Sequence, residues 1–394
     1  MNNKVELLAP AGDLEKLKVA LLYGADAVFV GGKSFSLRAK ASNFSDEDLI
    51  EGVKFAHSLN KKVHVTVNVI PENNEIDKMK EYVRFLSNIG VDAIIVSSLG
   101  LMKFIKDEKL PIEIHVSTQC SSSNSLSVSF YKRIGASRVV LGRECSLEDI
   151  KKIICETDLE IETFIHGGLC SGISGRCHLS DFYTGRKANR GACAHSCRWS
   201  YNLSSLNNEN TFLFGCKDLC ALEFVPDLID AGVSSFKIEG RMKSLHYIAS
   251  VVRAYRMVID AYYAKKLNDK VFDLAYKELS RCESRNYGAS FFKGEVLQSD
   301  MAYDLDSKTA NHEFLGYVKN IGDEKIIFPK ALLFVKEEYE IINPKNNLTK
   351  TIKIDKFYDR KGDFLDTRYV SDYCFFESDE KIVDYSILRR KTDE

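Results

Sequence analysis

The feature that most constrains the fold is a repeated junction between a helix and a short apolar strand. Four segments place a glycine before a short turn and a strand: "GADAV" at 24–28, "GVDAI" at 90–94, "GASRV" at 135–139 and "GVSSF" at 232–236. Glycine readily takes the left-handed conformation in which many helices end. Four copies of one helix-to-strand junction predict a chain built from repeated βα units.

Eight short segments are candidate strands of a parallel sheet. Each is rich in Val, Ile and Leu, as strands covered on both faces are. They are Glu6–Ala9, Ala27–Val30, Val63–Val67, Ala93–Val96, Glu113–Val116, Arg138–Leu141, Glu160–Phe164 and Ser235–Ile238. Amphipathic segments such as Leu14–Tyr23 separate them. The count predicts an α/β fold, a TIM-type (β/α)8 barrel over residues 1–300 with an insertion at 166–225 after strand seven.

An open doubly wound sheet is the alternative architecture. The chain has no glycine-rich dinucleotide fingerprint after a strand, which favours the barrel. Beyond residue 300 the pattern changes: segments between 314 and 376 alternate apolar and polar residues and are separated by Gly, Asn and Asp turns. Residues 301–394 are therefore predicted to form a small antiparallel, barrel-like β domain.

The overall charge and the amino terminus exclude some classes of protein. Lys and Arg number 55 against 56 Asp and Glu, so any nucleic-acid surface must be a local basic patch. The chain begins with "MNNKVELLAP" and contains no apolar run long enough for a membrane span. We therefore expect no membrane partner and a cytoplasmic location. In that setting the 11 cysteines should be reduced thiols or metal ligands.

Six of those cysteines lie between residues 170 and 220. Their spacing lacks the Cys-x2-Cys knuckle typical of structural zinc, whereas iron–sulfur clusters accept more varied spacings. A thiolate cluster is predicted, with iron–sulfur favoured over zinc, and buried structural thiols remain the alternative. The compact ligand set is Cys170, Cys177, Cys193 and Cys197, with Cys216 or Cys220 as a substitute for one of them.

The same segment is locally basic. From Cys170 to Tyr201 the net charge is +4, because Asp181 alone opposes the cations Arg176, Arg186, Lys187, Arg190 and Arg198. A basic patch in a neutral protein predicts an anionic partner, with Arg186 and Arg190 as candidate contacts; solvated arginines are the alternative. Trp199, the only tryptophan, could stack on a base or pack beside the cluster.

The carboxyl ends of the strands are where barrel enzymes place their chemistry. The catalytic candidates there are His166, Glu239 and Gln119, and the substrate-binding candidates are Arg38, Asn68, Arg143 and Arg241. Several arginines suit a small dianion through bidentate pairing, although structural hydrogen bonds at strand ends are an equal alternative for each residue. No nucleophile elbow, H-E-x-x-H motif or P-loop is present.

The segment "ETFIHGGLCSGISGRCHLS", Glu162–Ser180, resembles the signature of the collagenase-like, unclassified peptidase family. The resemblance continues in "LLAPAGDLEKLKVALLYGADAVFVGG", "HVSTQ", "GACAHSCRW" and "KIEGRMKS". It covers about residues 5–300, with a weaker match to the family's small β domain. The family name implies peptide hydrolysis, but better-understood members imply oxygen-independent hydroxylation with an iron–sulfur cluster.

The resemblance also implies substrates. Branches of the family hydroxylate the wobble uridine of tRNA to 5-hydroxyuridine, a cytidine of ribosomal RNA, or a quinone precursor. By resemblance, a 4Fe–4S cluster would bind Cys170, Cys177, Cys193 and Cys197. Prephenate, a small dicarboxylate, would be the hydroxyl donor, and the tRNA anticodon arm and a family-related subunit would be the partners. Chain length and the β domain favour the tRNA branch; a peptidase and a non-catalytic RNA-binding factor remain the alternatives.

Overall fold

Eight parallel strands form a closed barrel in this computed structural model, which describes residues 4–37, 43–202, 211–212, 215–302, 310–322, 324–344, 349–368 and 373–392. The strands are β1 Glu6–Pro10, β2 Ala27–Val30, β3 Lys62–Val67, β4 Ala93–Val96, β5 Glu113–Val116, β6 Arg138–Val140, β7 Glu160–Gly167 and β8 Ser235–Ile238. They pair in chain order, and β8 pairs with both β1 and β7. This closure confirms the predicted barrel over the open sheet.

Helices surround the barrel, and the predicted glycine junctions end them. The four junction glycines, at 24, 90, 135 and 232, all have positive φ angles between 82° and 119°. The helices are α1 Leu14–Leu22, α2 Asp46–Ser58, α3 Ile76–Asn88, α4 Leu99–Glu108, α5 Ser125–Arg133, α6 Leu147–Glu156, α7 Leu179–Thr184, α8 Val225–Ala231, α9 Leu245–Tyr263 and α10 Asp269–Leu279. None of the helices in the described part of the chain combines the length and the apolar character that crossing a membrane requires.

The cysteine-rich insertion lies between β7 and β8, as predicted. Strand β7 has eight residues, and its last two pair antiparallel with Leu219 and Cys220 at the end of the insertion. The short strand Asp218–Cys220 pairs in turn with Tyr287–Gly288, which follows α10. The insertion is therefore hydrogen-bonded to the carboxyl end of the barrel.

The carboxyl-terminal residues form an antiparallel β domain, as predicted. Its eight strands pair in a sheet: Thr349–Lys353, Glu338–Ile342, Ile387–Lys391, His312–Ile321, Glu324–Pro329, Cys374–Phe376, Phe357–Tyr358 and Phe364–Leu365. The sheet packs on the barrel: the Tyr23 hydroxyl of the α1 C-cap lies 3.0 Å from the carbonyl oxygens of both Ile342 and Tyr385. The described strands show no pairing between the two edges of this sheet, and barrel-like closure stays a prediction.

A buried ion network also joins the two parts. The fully buried Arg389 donates from Nη1 to Glu278 Oε1 of α10 at 2.8 Å and from Nε to Glu340 Oε2 at 2.8 Å. Arg253 of α9 lies 3.3 Å from the other Glu278 oxygen. Burial alone would raise the pKa of Glu278, but Arg389 and Arg253 hold it well below its usual range. The carboxylate therefore stays ionised inside the protein.

Replacing Arg389 with methionine should lower the free energy of unfolding by about 3–5 kcal/mol, because Glu278 loses its main partner while it stays buried. Urea unfolding at pH 7 measures the change. The matched control is Arg84→Met, which breaks the exposed Arg84–Glu108 pair and should cost less than about 1 kcal/mol. Superimposable unfolding curves for Arg389→Met and the wild type would contradict this role.

Candidate active site at the barrel mouth

His166 lies buried at the carboxyl end of β7, inside a ring of tyrosines. Its Nδ1 atom is 3.3 Å from the Tyr255 hydroxyl oxygen, and the rings of Tyr247 and Tyr287 lie 6.0 and 5.2 Å from its own. Burial lowers the pKa of His166 to about 3, although the charge of Asp218 opposes this shift. The imidazole is therefore neutral near pH 7, and its Nε2 atom has no partner among the described residues.

Glu239 and Arg143 form a pair at the carboxyl ends of β8 and β6. The Glu239 backbone N–H donates to the His166 carbonyl oxygen at 2.9 Å. Arg143 Nη2 lies 3.8 Å from Glu239 Oε2, and its guanidinium covers the ring of Phe164 at 3.7 Å from the centroid. Both side chains retain some exposure, 14% for Arg143 and 20% for Glu239. The structure thus brings the Glu239 and Arg143 side chains together, whereas the contact described between Glu239 and His166 is made by backbone atoms.

Arg241 is placed differently, in a buried position among neutral acceptors. It donates from Nη1 to Ser36 Oγ at 2.8 Å and to Thr66 Oγ1 at 3.1 Å, and from Nη2 to Asn43 Oδ1 at 2.6 Å. A Cβ atom on Gly31 would lie 2.5 Å from both terminal nitrogens, so this approach requires glycine there. Arg241 therefore supports the loops of the mouth, and its role in substrate binding stays a prediction.

Two further predicted residues hold loops together. Asn68 accepts a hydrogen bond from the Leu37 backbone and donates to Ser117 Oγ, each at 3.3 Å. Gln119 lies in the short turn that follows β5, where its backbone N–H also bonds to Ser117 Oγ at 3.2 Å. Arg38 lies outside the described residues. The contacts described for these residues do not test their predicted catalytic or binding roles.

Most of the predicted thiol ligands lie near one another above the mouth. Burial raises the pKa of Cys197, and the nearby Cys170 and Cys193 thiols raise it further, whereas Arg198 lowers it. The backbone N–H of His195 donates to Cys193 Sγ at 3.4 Å. Such N–H bonds to sulfur are typical of iron–sulfur sites, where they tune the cluster.

Cys177 and Cys216 approach the loop that carries Cys170. A Cβ on Gly172 would lie 3.2 Å from Cys177 Cβ and 3.6 Å from its sulfur, so the bare glycine lets Cys177 fold back against this loop. Cys216 Sγ lies 3.8 Å from Ser171 Oγ. Cys220 points into the core instead, where its sulfur lies 3.8 Å from the Tyr255 hydroxyl and burial raises its pKa to about 11. Cys216 therefore lies closer to Cys170 and the other predicted ligands than Cys220 does.

The described cysteines offer a donor set that a thiolate-bound metal centre requires. Cys170, Cys193 and Cys197 lie near one another, and Cys177 folds back against the loop that carries Cys170. A cubane cluster binds each thiolate at a separate iron, so it can take thiolates from separate loops. The donor chemistry therefore fits an iron–sulfur cluster, and the preference for a cluster over a zinc ion stays a prediction.

Arg186 and Arg190, two of the arginines predicted as a basic patch, contact other groups of the protein. Arg186 donates from Nε to the Ala192 carbonyl at 2.9 Å and from Nη2 to the Cys193 carbonyl at 3.2 Å, which fixes the loop of one proposed ligand. Arg190 pairs with Glu75 at 2.6 Å, and Lys187 pairs with Glu72 at 3.1 Å. These two pairs fasten the insertion to the loop after β3. Direct contact of Arg186 and Arg190 with a substrate stays a prediction.

Sequence reasoning missed Asp218 and Arg285. Arg285 donates from Nε to the buried Asp218 Oδ1 at 3.0 Å, and a Cβ on Gly168 would lie 3.4 Å from Arg285 Nη2 and 3.5 Å from Arg198 Nη2. Two guanidinium groups therefore converge beside Gly168, at the start of the loop 168–177 that carries Cys170 and Cys177, which we call the thiol loop. Asp218 could have been noticed because it lies between two predicted cysteines, but nothing in the local pattern around Arg285 indicates this contact.

A cavity of about 180 Å³ adjoins the thiol loop. Its walls are mainly apolar and come from the insertion, from residues 288–301 and from the loop after β6; the apolar lining residues are Leu169, Ile173, Phe291, Val296 and Met301. The charged lining residues are two cations, Arg143 and Lys217, and two carboxylates, Glu144 and Asp300. The Ser174 hydroxyl donates to Glu144 at 2.8 Å. The cavity therefore suits a small molecule with an apolar body, and Arg143 and Lys217 are the groups that could pair with an acid on it.

A second polar cluster lies inside the barrel, one layer below the mouth. His64, His115 and Glu162 occupy the third positions of β3, β5 and β7, and each offers a ligand atom within 4.8 Å of the other two. Lys237 lies 2.6 Å from one Glu162 oxygen and Arg138 lies 3.2 Å from the other. Burial would raise the pKa of Glu162, but these two cations lower it to about 2. Glu162 is therefore already paired with two cations, and this disfavours the binding of a further cation.

The fold and the site together define an α/β-barrel protein that carries a thiol-rich insertion over its mouth. The model of Peptidase family U32 matches residues 12–302, and the chain belongs to that family. It is 38% identical to "tRNA hydroxylation protein P1" of Bacillus subtilis (strain 168), over 99% of this chain and 96% of that protein. It is 32% identical to a "Collagenase" of Porphyromonas gingivalis, over 87% of each chain.

Two partial matches extend the comparison. The "23S rRNA 5-hydroxycytidine C2501 synthase" of Escherichia coli (strain K12) is 40% identical over 66% of this chain and 40% of its own length. A U32 peptidase of known structure aligns with a TM-score of 0.44 and 11% identity, over 62% of this chain and 96% of its own.

The low pKa of His166 predicts a pH dependence of stability. The folded value of about 3 lies below the unfolded value of about 6.5, so the unfolded chain takes up the proton first as the pH falls. This contribution is complete above about pH 6.5 and is lost progressively toward pH 3. Between pH 7 and pH 5, His166→Gln should therefore lose about 2 kcal/mol less stability than the wild type.

Urea unfolding at both pH values measures that difference. Histidine NMR offers a direct check, because the His166 ring resonances should not titrate between pH 5 and 8. Equal losses of stability in the two proteins, or a His166 titration near pH 6.5, would contradict the assignment of a buried neutral imidazole.

Proposed function

We propose that this protein is an RNA hydroxylase that converts the wobble uridine of tRNA to 5-hydroxyuridine. The observation that carries the proposal is the position of the thiol loop, which follows β7 directly at the end of the barrel where the Glu239 and Arg143 side chains lie 3.8 Å apart. Relatives named for tRNA hydroxylation, at 32–38% identity over most of the chain, support the RNA substrate. Such a substrate agrees with the predicted cytoplasmic location.

The cofactor that we propose is a 4Fe–4S cluster on Cys170, Cys177, Cys193 and Cys197, with Cys216 as the nearest substitute ligand. When bound, such a cluster supplies redox-active or Lewis-acidic iron at the mouth. Arg186 holds the backbone of Cys193, and His195 donates its N–H to the Cys193 sulfur. These contacts would keep one ligand in place as the cluster binds.

The hydroxyl donor that we propose is prephenate, in the cavity beside the thiol loop. Arg143 and Lys217 would pair with its two carboxylates. Arg143 is the better-placed group, because its stacking on Phe164 and its proximity to Glu239 fix the guanidinium at the boundary between the cavity and the mouth. The donor would then lie between the thiol loop and the base.

The residues at the barrel mouth would orient the base and accept the proton that it loses. Glu239 is the proposed proton acceptor, through Oε2, because it is partly exposed at the mouth and has a cation 3.8 Å away that favours its charged form. His166 would support Glu239 through the backbone contact and is too weak a base to compete for the proton near pH 7.

A second candidate function is peptide hydrolysis, because one relative is named a collagenase. The site favours it less, because the Nδ1 atom of His166 bonds to a tyrosine hydroxyl rather than to a serine or cysteine nucleophile. A peptidase should keep cleaving peptides after a cluster ligand is replaced, whereas the proposed hydroxylase should not act on peptides at all.

The cluster proposal predicts the iron content of the purified protein. Wild-type protein isolated without oxygen should carry about four irons and a broad absorption band near ~400 nm. Cys177→Ala should lose both, because one of four ligands is missing. Cys155→Ala is the matched control: this exposed cysteine lies on α6, and its replacement should keep the iron. A colourless wild-type protein, or one zinc per chain, would reject the cluster.

The substrate proposal predicts a change in tRNA. A strain that lacks this gene should lose 5-hydroxyuridine and the modifications built on it, as measured by mass spectrometry of digested tRNA. Expression of the wild type should restore them, and expression of Glu239→Gln should not, because an amide cannot accept the proton. Unchanged tRNA with loss of a hydroxylated ribosomal cytidine would transfer the activity to ribosomal RNA.

A further inference from the structure

Three aromatic side chains lie exposed on the insertion. Phe182 and Tyr183 of α7 are 83% and 51% exposed, and Trp199 is 41% exposed. The Tyr183 ring lies between the other two, with centroid distances of 5.4 Å to Phe182 and 6.4 Å to Trp199. We name these three rings the aromatic platform. Single exposed apolar residues are common on protein surfaces, but adjacent large ones mark a binding surface.

The aromatic platform is fixed to the loop that carries Cys193 and Cys197. The Ser180 hydroxyl accepts a hydrogen bond from the Ala194 backbone N–H at 2.9 Å, next to Cys193. Tyr183 also packs on Tyr201 at 5.8 Å, and the Tyr201 hydroxyl donates to the Ser196 carbonyl at 2.8 Å. The rings are therefore held in place before any partner arrives, which lowers the entropy that binding costs.

The insertion that carries the aromatic platform is basic. Its net charge from 170 to 201 is +4; Arg176 and Arg198 are exposed on it, whereas Lys187 pairs with Glu72. Its one acid, Asp181, accepts a hydrogen bond from the Ala188 backbone at 3.0 Å. Aromatic rings on a basic segment suit an unpaired nucleic acid, whose bases stack on the rings while its phosphates approach the cations. A purely apolar partner would gain nothing from the cations.

We propose that the aromatic platform stacks unpaired bases of an RNA loop and so delivers the neighbouring nucleotide to the barrel mouth. The inference rests on the proposed function and adds the recognition element. Trp199 follows Cys197 by two residues, so a base on the platform lies close to a proposed cluster ligand. Phe182 is the outermost ring and the main stacking surface.

The test compares four full-length proteins, purified without oxygen, for binding to an RNA hairpin whose loop carries 2-aminopurine. Phe182→Ala should weaken binding about tenfold, as loss of one stacked base does, and should reduce the quenching of the probe. Phe182→Trp should restore both. Phe130→Ala is the matched control, because Phe130 is also an exposed helical phenylalanine, on α5. The salt dependence should not change in Phe182→Ala, since no phosphate contact is lost.

The outcomes separate this inference from the proposed function. If the wild type binds the hairpin and hydroxylates tRNA, and Phe182→Ala equals it in both, the platform does not stack bases and the inference fails alone. If Phe182→Ala loses affinity for a fully paired duplex as strongly as for the hairpin, recognition of unpaired bases is also rejected. If the wild type neither binds nor modifies RNA, both proposals fail.

Discussion

The pairing of β7 with β8 holds both the barrel and the insertion in place. The two strands are adjacent in the closed barrel although the whole insertion separates them in the chain. The last two residues of β7, His166 and Gly167, also pair with Cys220 and Leu219 at the end of the insertion. One strand therefore contributes both to the rigid core and to the attachment of the thiol loop.

The residues that stabilise the fold are therefore distinct from those proposed to carry out the chemistry. In the barrel interior the Glu162 carboxylate is paired with Lys237 and Arg138, and the β domain is fixed by Arg389 against α10. The insertion contributes thiols, arginines and exposed rings, which add little to a folded core. A rigid barrel can carry such a segment because the polar groups of its attachment are satisfied by strand pairing and by the Asp218–Arg285 contact.

Much of the site could be predicted because its residues follow strand ends in the sequence. Glu239 and Arg143 are predicted at the mouth for that reason, and their side chains lie 3.8 Å apart, while His166 bonds to Glu239 only through the backbone. Arg241 follows a strand in the same way but turns inward to Ser36, Thr66 and Asn43, a choice that depends on the bare Gly31 of another strand. The net charge of the basic segment follows from the sequence. A count of charges cannot show, however, that Arg186 and Arg190 contact other groups of the protein.

The eight strands, the helix-ending glycines, the place of the insertion and the concentration of thiols can all be predicted from the order of residues, because each depends on neighbours in the chain. Tertiary folding selects the thiols that lie together, brings Cys216 rather than Cys220 near them, and joins Arg285 to Asp218 beside them. It also left Phe182, Tyr183 and Trp199 exposed on one surface. These features depend on distances between segments that are remote in sequence, and such distances are fixed only when the barrel closes.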